Sequence, residues 1–354
     1  MGDTFNRPNP RIRHVPKRPA IGLIGCGEIV RIAQLPAYHR LGVSALRAYD
    51  PDPRALDAFC ELSPGTIPAR SIDELLDDQR IEAVDIAIPP DQQLLVASRA
   101  ISAGRHVLCQ KPLARTAAEA RKLVALAAEA GRTLVVNHQM RWAPCIRWAA
   151  KTRRDGEFGE LVSGVVNTIH YGELSAGHWL AREARFMALF NTIHVVDSLR
   201  FLYGDPIGVH GIVQAEDTAK QLPDRTAYAW LRWSSGAVVS ITDRLTKCRQ
   251  PVRADFMLEG TDDTVFGRIG LWDRYPSPAP DVVWFQAAHG DSARLLSDSE
   301  CWIPEAFTGP LGELCDSITA DRAVTVDGWA GLRALEIVEA IYESSRRNGD
   351  WVAV

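Results

Sequence analysis

The stretch "AIGLIGCGEIVRIAQLPAYHRLG", residues 20–42, decides the fold. Its opening Ala20-Ile21-Gly22-Leu23-Ile24-Gly25 is an apolar run of strand length, bounded by glycine. A helical pattern follows through about Leu41 and stops at Gly42. At the junction Gly25 permits a tight turn, and Gly27 lets a pyrophosphate approach the backbone. Cys26, Glu28 and Ile29 fill the rest of a helix N-terminus whose amides and positive dipole end suit an anion. The third small residue usual in such turns is Val30 here, so the match is partial.

Beyond it, "LRAYD" (46–50) reads as a second strand, ending in Asp50, 25 residues after Gly25. An acid there accepts hydrogen bonds from the ribose hydroxyls and repels a 2′-phosphate, which favours NAD. Arg54 and Arg47 stand close enough in sequence to keep NADP possible. "SIDELLDD" starts a helix on a serine cap with acids in its first turn. "EAVDIAI" (82–88), "RHVLC" (105–109) and "TLVVN" (133–137) are further strands. Helices over about 91–103 and 116–130 separate them, closed by Gly104 and Gly131. This alternation specifies an α/β fold, a doubly wound parallel Rossmann sheet, over residues 19–138.

After about residue 138 the texture changes. "LVSGVVNTIHYG", "IGVHGIVQAE", "TAYAWLRW", "AVVSITDRL", "ADFMLEG" and "VVWFQA" are longer alternating strands with hairpin turns such as Ser234-Ser235-Gly236. Helices are expected at about 191–203, 306–320 and 329–347. Residues 139–354 therefore read as a second α/β domain around a large, mostly antiparallel open sheet. Residues 1–18 read as a terminal arm, with subunit contacts as the other possibility.

A chain of 354 residues fits two domains better than one core. Its 46% hydrophobic and 24% charged content are globular, and a net charge of −4 argues against nucleic acid or an anionic membrane as partner. No apolar run is long enough to span a bilayer, and the N-terminus lacks the apolar core of a secretory signal. Seven scattered cysteines without a CxxC pair suit free thiols in a reducing cytoplasm. No clustered ligand spacing suggests a metal, and no GxSxG suggests a serine hydrolase.

"GLIGCGEIV", "VDIAIPP", "AGRHVLCQKPLA" and "IHVVDSLRFLYG", supported by "LEGTDDT", "FTGPLGELCDSI" and "ALEIVEAIYESSRRNGDW", resemble the Gfo/Idh/MocA family (glucose–fructose oxidoreductase, inositol dehydrogenase and relatives). The resemblance runs from about residue 20 to 351. It implies hydride transfer between NAD and a secondary alcohol of a sugar or cyclitol, and an open sheet often used for homo-oligomer contacts, in a dimer or tetramer. It implies that Lys111, after the strand "RHVLC", handles the hydroxyl proton, and that His194 acts as acid/base or orients the hydroxyl. Positive charge on oxidised nicotinamide would favour neutral Lys111 and make it a better base. Arg54, Pro89, Pro90, Gln110 and Lys111 join the cofactor-binding set. Gln139, Arg141, Tyr171, Trp179 and Asn191 join Lys111 and His194 on the substrate side. Arg141 reads equally as a domain-interface residue, and Asp197, one helical turn after His194, as a structural partner.

Several positions depart from the family's pattern. Phe190 stands where an acid is usual, four residues before His194, and "REARFMALF" replaces a glycine-rich approach. Gln110 replaces the glutamate of "EKP", and Gln93 the histidine after the "PP" turn. Phe190 could pack on a sugar face, but core filling is the favoured reading. Two alternatives to a dehydrogenase stay open. One is an NAD-recycling hydrolase or lyase acting on a glycoside; the other is a non-catalytic nucleotide-binding regulatory protein.

Overall fold

The computed structural model describes residues 18–172, 179–215, 223–248, 252–273, 275, 277–288, 290 and 292–354. The arm expected over residues 1–18 lies outside the described residues except for Arg18. So do residues 173–178, between the substrate-side candidates Tyr171 and Trp179. The chain divides into two compact units. One holds residues through Gln139 together with Pro304–Arg333; the other holds Met140–Ile303 and Ala334–Val354.

The first unit is built on strands β1 (Ile21–Ile24), β2 (Ala45–Tyr49), β3 (Ile67–Pro68), β4 (Ala83–Ile86), β5 (His106–Cys109) and β6 (Leu134–Val136). They pair in parallel in the order β3-β2-β1-β4-β5-β6. β1 and β4 are buried along their whole length, as apolar strands covered on both faces must be. Helices α1 (Leu35–Leu41), α2 (Pro53–Leu62), α3 (Ile72–Asp77), α4 (Pro90–Ser102) and α5 (Ala117–Glu129) alternate with them. Ser71 caps α3 by accepting from the Glu74 amide. α5 opens on a reciprocal box between Thr116 and Glu119. The elements legible in the sequence fall within a residue or two of their expected bounds, whereas α2 and the two-residue β3 are additions to them.

In the second unit α6 (Pro144–Arg154), a further addition, precedes β7 (Leu161–Tyr171). A π-helical turn, Met187–Thr192, runs directly into α7 (Ile193–Tyr203). Strands β8 (Gly208–Ala215), β9 (Asp224–Arg232), β10 (Val238–Thr246), β11 (Arg253–Gly260), β12 (Asp263–Arg268), β13 (Val282–Ala287), β14 (Arg294–Ser297) and β15 (Val352–Ala353) complete a nine-stranded sheet among the described residues. Its order is β14-β13-β12-β11-β7-β10-β9-β8-β15, with only the β7–β10 pair parallel. One face carries the core, including Val166, Ala229, Ile241, Phe256, Leu258 and Val265. α8 (Thr308–Ala320), expected with the second domain, clusters with the first unit. α9 (Gly328–Arg346) begins in the first unit and ends in the second.

Candidate functional site

The sheet order of the first unit reverses direction between β1 and β4, and ligands of doubly wound sheets bind outside the carboxyl ends of such strands. The turn after β1 is tied there by Gly25 N donating to Tyr49 O at 2.8 Å and by Ala87 N donating to Ile24 O at 2.8 Å. Gly25 has φ +94°, and a Cβ on it would stand 2.3 Å from Ala87 O, so only glycine fits. A Cβ on Gly27 would meet no atom within 4 Å. That open side is where a bound group could reach the backbone. Glu28 and Ile29 begin the helical run, whose first amides have no partner within the helix. A π-helical turn over Val30–Gln34 carries it into α1.

Asp50 is held against this turn. Its Oδ2 accepts from Cys26 N at 2.7 Å and its Oδ1 from Asp52 N at 2.8 Å. The carboxylate is thereby oriented, and each oxygen keeps a lone pair for a ribose hydroxyl. Burial, reinforced by Asp50, pushes the Cys26 thiol up to about 12, so it stays protonated. Arg47 does not support a 2′-phosphate: its guanidinium binds Asp78 at 2.7 Å and Glu74 at 3.3 Å. Arg54 is exposed on the first turn of α2. A glycine turn with room beside it, the amides of a helix start and the oriented carboxylate of Asp50 together fit a dinucleotide.

Pro89 and Pro90 open α4, and Gln93 in its first turn is fully buried. Lys111 follows β5 and is half-buried, and the Lys111–Pro112 peptide is cis. Gln93 Nε2 lies 2.9 Å from Gln110 O, 2.9 Å from Pro112 O and 2.8 Å from Leu113 O. Beside this turn Asn137 N donates to Cys109 O at 2.8 Å. Gln110 Nε2, Asn137 Oδ1 and Gln139 Oε1 are buried polar atoms without a hydrogen-bond partner among the described residues.

In the second unit Asn191 lies in the π-helical turn and His194 at the start of α7. Asp224 of β9 anchors the head of this run. Its carboxylate accepts from the amides of Phe186 (3.2 Å) and Met187 and from Tyr342 OH (2.8 Å). Burial raises the Asp224 carboxyl to about 6 against those hydrogen bonds. Asp243 of β10 accepts from Thr192 (3.0 Å) and Thr168 (2.7 Å). Asn191 Nδ2 lies 3.3 Å from Met187 Sδ, and His194 sets its edge against Trp302 at 5.9 Å.

Arg141 spends two donors on Asp197, Nε to Oδ2 at 2.7 Å and NH2 to Oδ1 at 2.6 Å, and its guanidinium covers Phe201 at 5.0 Å. The pair is buried and ties Arg141 to α7. Phe190 is 6% exposed, packed between Trp179 (5.4 Å) and Phe186 (6.1 Å). Trp179 itself is exposed and Tyr171 half-buried at the end of β7. His170 stacks on Trp272 at 3.8 Å, and burial, aided by Arg225, pulls it down to about 4, so it is neutral.

Gly25–Ile29 and Asp50 thus meet in one cluster of the first unit, and Asn191 and His194 share one helical run of the second. Gln93, Asp224 and Asp243 are not among the site residues the sequence points to. Gln93 stands out there only as a departure, and the partners of Asp224 and Asp243 lie tens of residues away and leave no local signal.

Comparison with known proteins agrees with the fold. The chain is 33% identical over 191 residues to D-apiose dehydrogenase of Paraburkholderia graminis, covering 53% of this chain. It spans about half (51%) of that protein's length. It is 28% identical over 251 residues to 1,5-anhydro-D-fructose reductase of Ensifer adhaerens, covering 70% of this chain and 75% of that one. An oxidoreductase from Agrobacterium radiobacter, solved with NAD+, L-tartaric acid and magnesium, superposes with a TM-score of 0.83 at 20% identity, over 95% of this chain and 98% of the other. An NAD-binding Rossmann profile matches residues 20–138 and a C-terminal alpha/beta profile residues 154–354, so the chain belongs to the Gfo/Idh/MocA oxidoreductase family.

Proposed function

We propose that this chain is an NAD-dependent oxidoreductase that moves a hydride between nicotinamide and a secondary alcohol or ketone of a sugar or cyclitol. The carrying observation is the first unit's combination of an open glycine turn, an Asp50 carboxylate locked against it and Lys111 at the end of β5. The sugar named in each of the two relatives supports the substrate class. NAD is preferred because Asp50 faces the turn while Arg47 is committed to Asp78 and Glu74.

Bound nicotinamide supplies the hydride acceptor. The Gly25–Ile29 backbone binds the pyrophosphate, and Asp50 orients the ribose. Lys111 Nζ takes the proton of the reacting hydroxyl, and His194 orients that hydroxyl. Asn191, Gln139, Tyr171 and Trp179 are assigned to substrate contacts, with neutral groups replacing the acid lost at Phe190. Arg141 serves by holding Asp197 and α7. The dinucleotide is assigned to residues 19–138 and the substrate-binding side chains chiefly to residues 139–354.

Among the described residues no helix is long and apolar enough to cross a membrane. All seven cysteines are free, which suits the reducing cytoplasm. The second unit's sheet supports homo-oligomer assembly. On the face opposite its core, Trp230, Ser240, Val165, Met257, Phe266 and Trp284 stand in register across six strands.

The test is a panel of sugars, cyclitols and their acids, followed by formation of reduced nicotinamide from NAD and NADP. Lys111→Met is expected to lower kcat by about 10²–10⁴-fold while leaving NAD binding nearly intact. Unchanged turnover in that variant sinks the assignment, and NAD binding without turnover across the panel sinks the reaction.

A further inference from the structure

Gln93 lies in the first turn of α4, fully buried, and aims its amide nitrogen at three carbonyl oxygens of the turn that carries Lys111. All three partners are acceptors, so only Nε2 can face them, and the amide has one orientation. The acceptors belong to Gln110, Pro112 and Leu113, so the backbone is gripped on both sides of Lys111. Two N–H groups serve three oxygens, which a carboxamide does by sharing one hydrogen. A carboxylate would set its own oxygens against the same carbonyls. An imidazole offers a single N–H in any one direction, and it titrates near pH ~6.5. Glutamine is the side chain that supplies this grip without a titrating group.

We infer that Gln93 is a positioning residue for Lys111. By clamping the turn from both sides it fixes where the lysine ammonium stands, in a manner that does not vary with pH. The inference rests on the assignment of Lys111 as the proton-handling group, but its geometry is confined to the first unit and is read without turnover.

The experiment uses the full-length protein and acetic anhydride as probe, with acetylation of individual lysines followed by peptide mass spectrometry across a pH series. Lys122 and Lys151, exposed on α5 and α6, are internal controls. In Gln93→Leu, which matches the size and removes the donors, the Lys111 labelling rate relative to the controls is expected to rise about tenfold, in line with the cost of small displacements at a reacting group. A ratio unchanged in folded Gln93→Leu overturns the inference.

Gln93→His, which keeps one donor, carries the same test if the leucine variant does not fold. Its Lys111 labelling should fall between the two extremes and vary with pH through the imidazole range. A wild-type ratio with no such dependence overturns the inference. The two failures separate cleanly. Loss of turnover in Lys111→Met with unaltered labelling in Gln93→Leu removes Gln93 and leaves the reaction standing. Retained turnover in Lys111→Met with altered labelling does the reverse.

Discussion

Asp85 puts a carboxylate in the middle of β4, with none of its surface exposed. Gln34 Nε2 donates to both of its oxygens at 2.9 Å, and Tyr38 OH to Oδ2 at 2.7 Å. Burial outweighs those bonds and lifts the carboxyl to about 7. Tyr38 and Cys109, the titratable groups it interacts with, are themselves pushed up by burial and remain protonated. A folded value above the ordinary ~3.9 means that the native state holds this proton more tightly than the unfolded chain. The associated stability is therefore complete below that ordinary value and is lost as pH rises through about 7. At roughly 1.4 kcal/mol for each pH unit between the two values, the loss is on the order of a few kcal/mol. Asp85→Asn should remove this slope; urea unfolding of both proteins across that pH range measures it. The sequence "EAVDIAI" displays the acid inside an apolar strand. It cannot display Gln34 and Tyr38, which arrive from the first helix 51 and 47 residues away.

The π-helical turn Met187–Thr192 and α7 form one run whose head has no cap of its own; Phe186 makes no side-chain capping bond. Asp224 serves instead, from a strand, by taking the Phe186 and Met187 amides. Asp224→Asn offers those amides one acceptor oxygen at most and turns a donor toward the rest. Stability is expected to fall by about 1–3 kcal/mol, the cost of leaving buried donors unmatched. Hydrogen exchange should show faster amides at Phe186 and Met187, with the β9 core unaffected. Elements with strong periodicity or end signals, such as α5 with its Thr116–Glu119 box, are legible in the sequence. The head of the α7 run is not, because an expected start at Asn191 ignores a cap supplied from 38 residues downstream of Phe186. Phe190 is legible as core filling, and its burial beside Trp179 and Phe186 has the same apolar cause.

The nine-stranded sheet shows a largely hydrophobic row on the face away from its core, with Met257 at 42% exposure near its centre. Met257→Arg should shift the proposed homo-oligomer toward smaller species, read by sedimentation velocity, while NAD binding by the first unit persists. An oligomeric state identical to wild type would place the contact elsewhere. The two-part plan of the chain is readable from the change in strand texture near residue 138. What local sequence cannot show is that residues 304–333 return to the first unit. There Val136 N donates to Val326 O at 2.8 Å, and Val135 bridges to Asp327. Gly328 and Gly331 press against Leu134 and Val136 so closely that added Cβ atoms would stand 2.8 and 2.7 Å away. The late segment thus covers the outer side of β6, the last strand in the sheet order. For anyone wishing to express the nucleotide half alone, a cut after residue 139 would leave that strand as an open, apolar edge prone to self-association. A soluble minimal version has to splice residues 304–333 back on through a linker, because in topological terms most of the second unit is an insertion into the first.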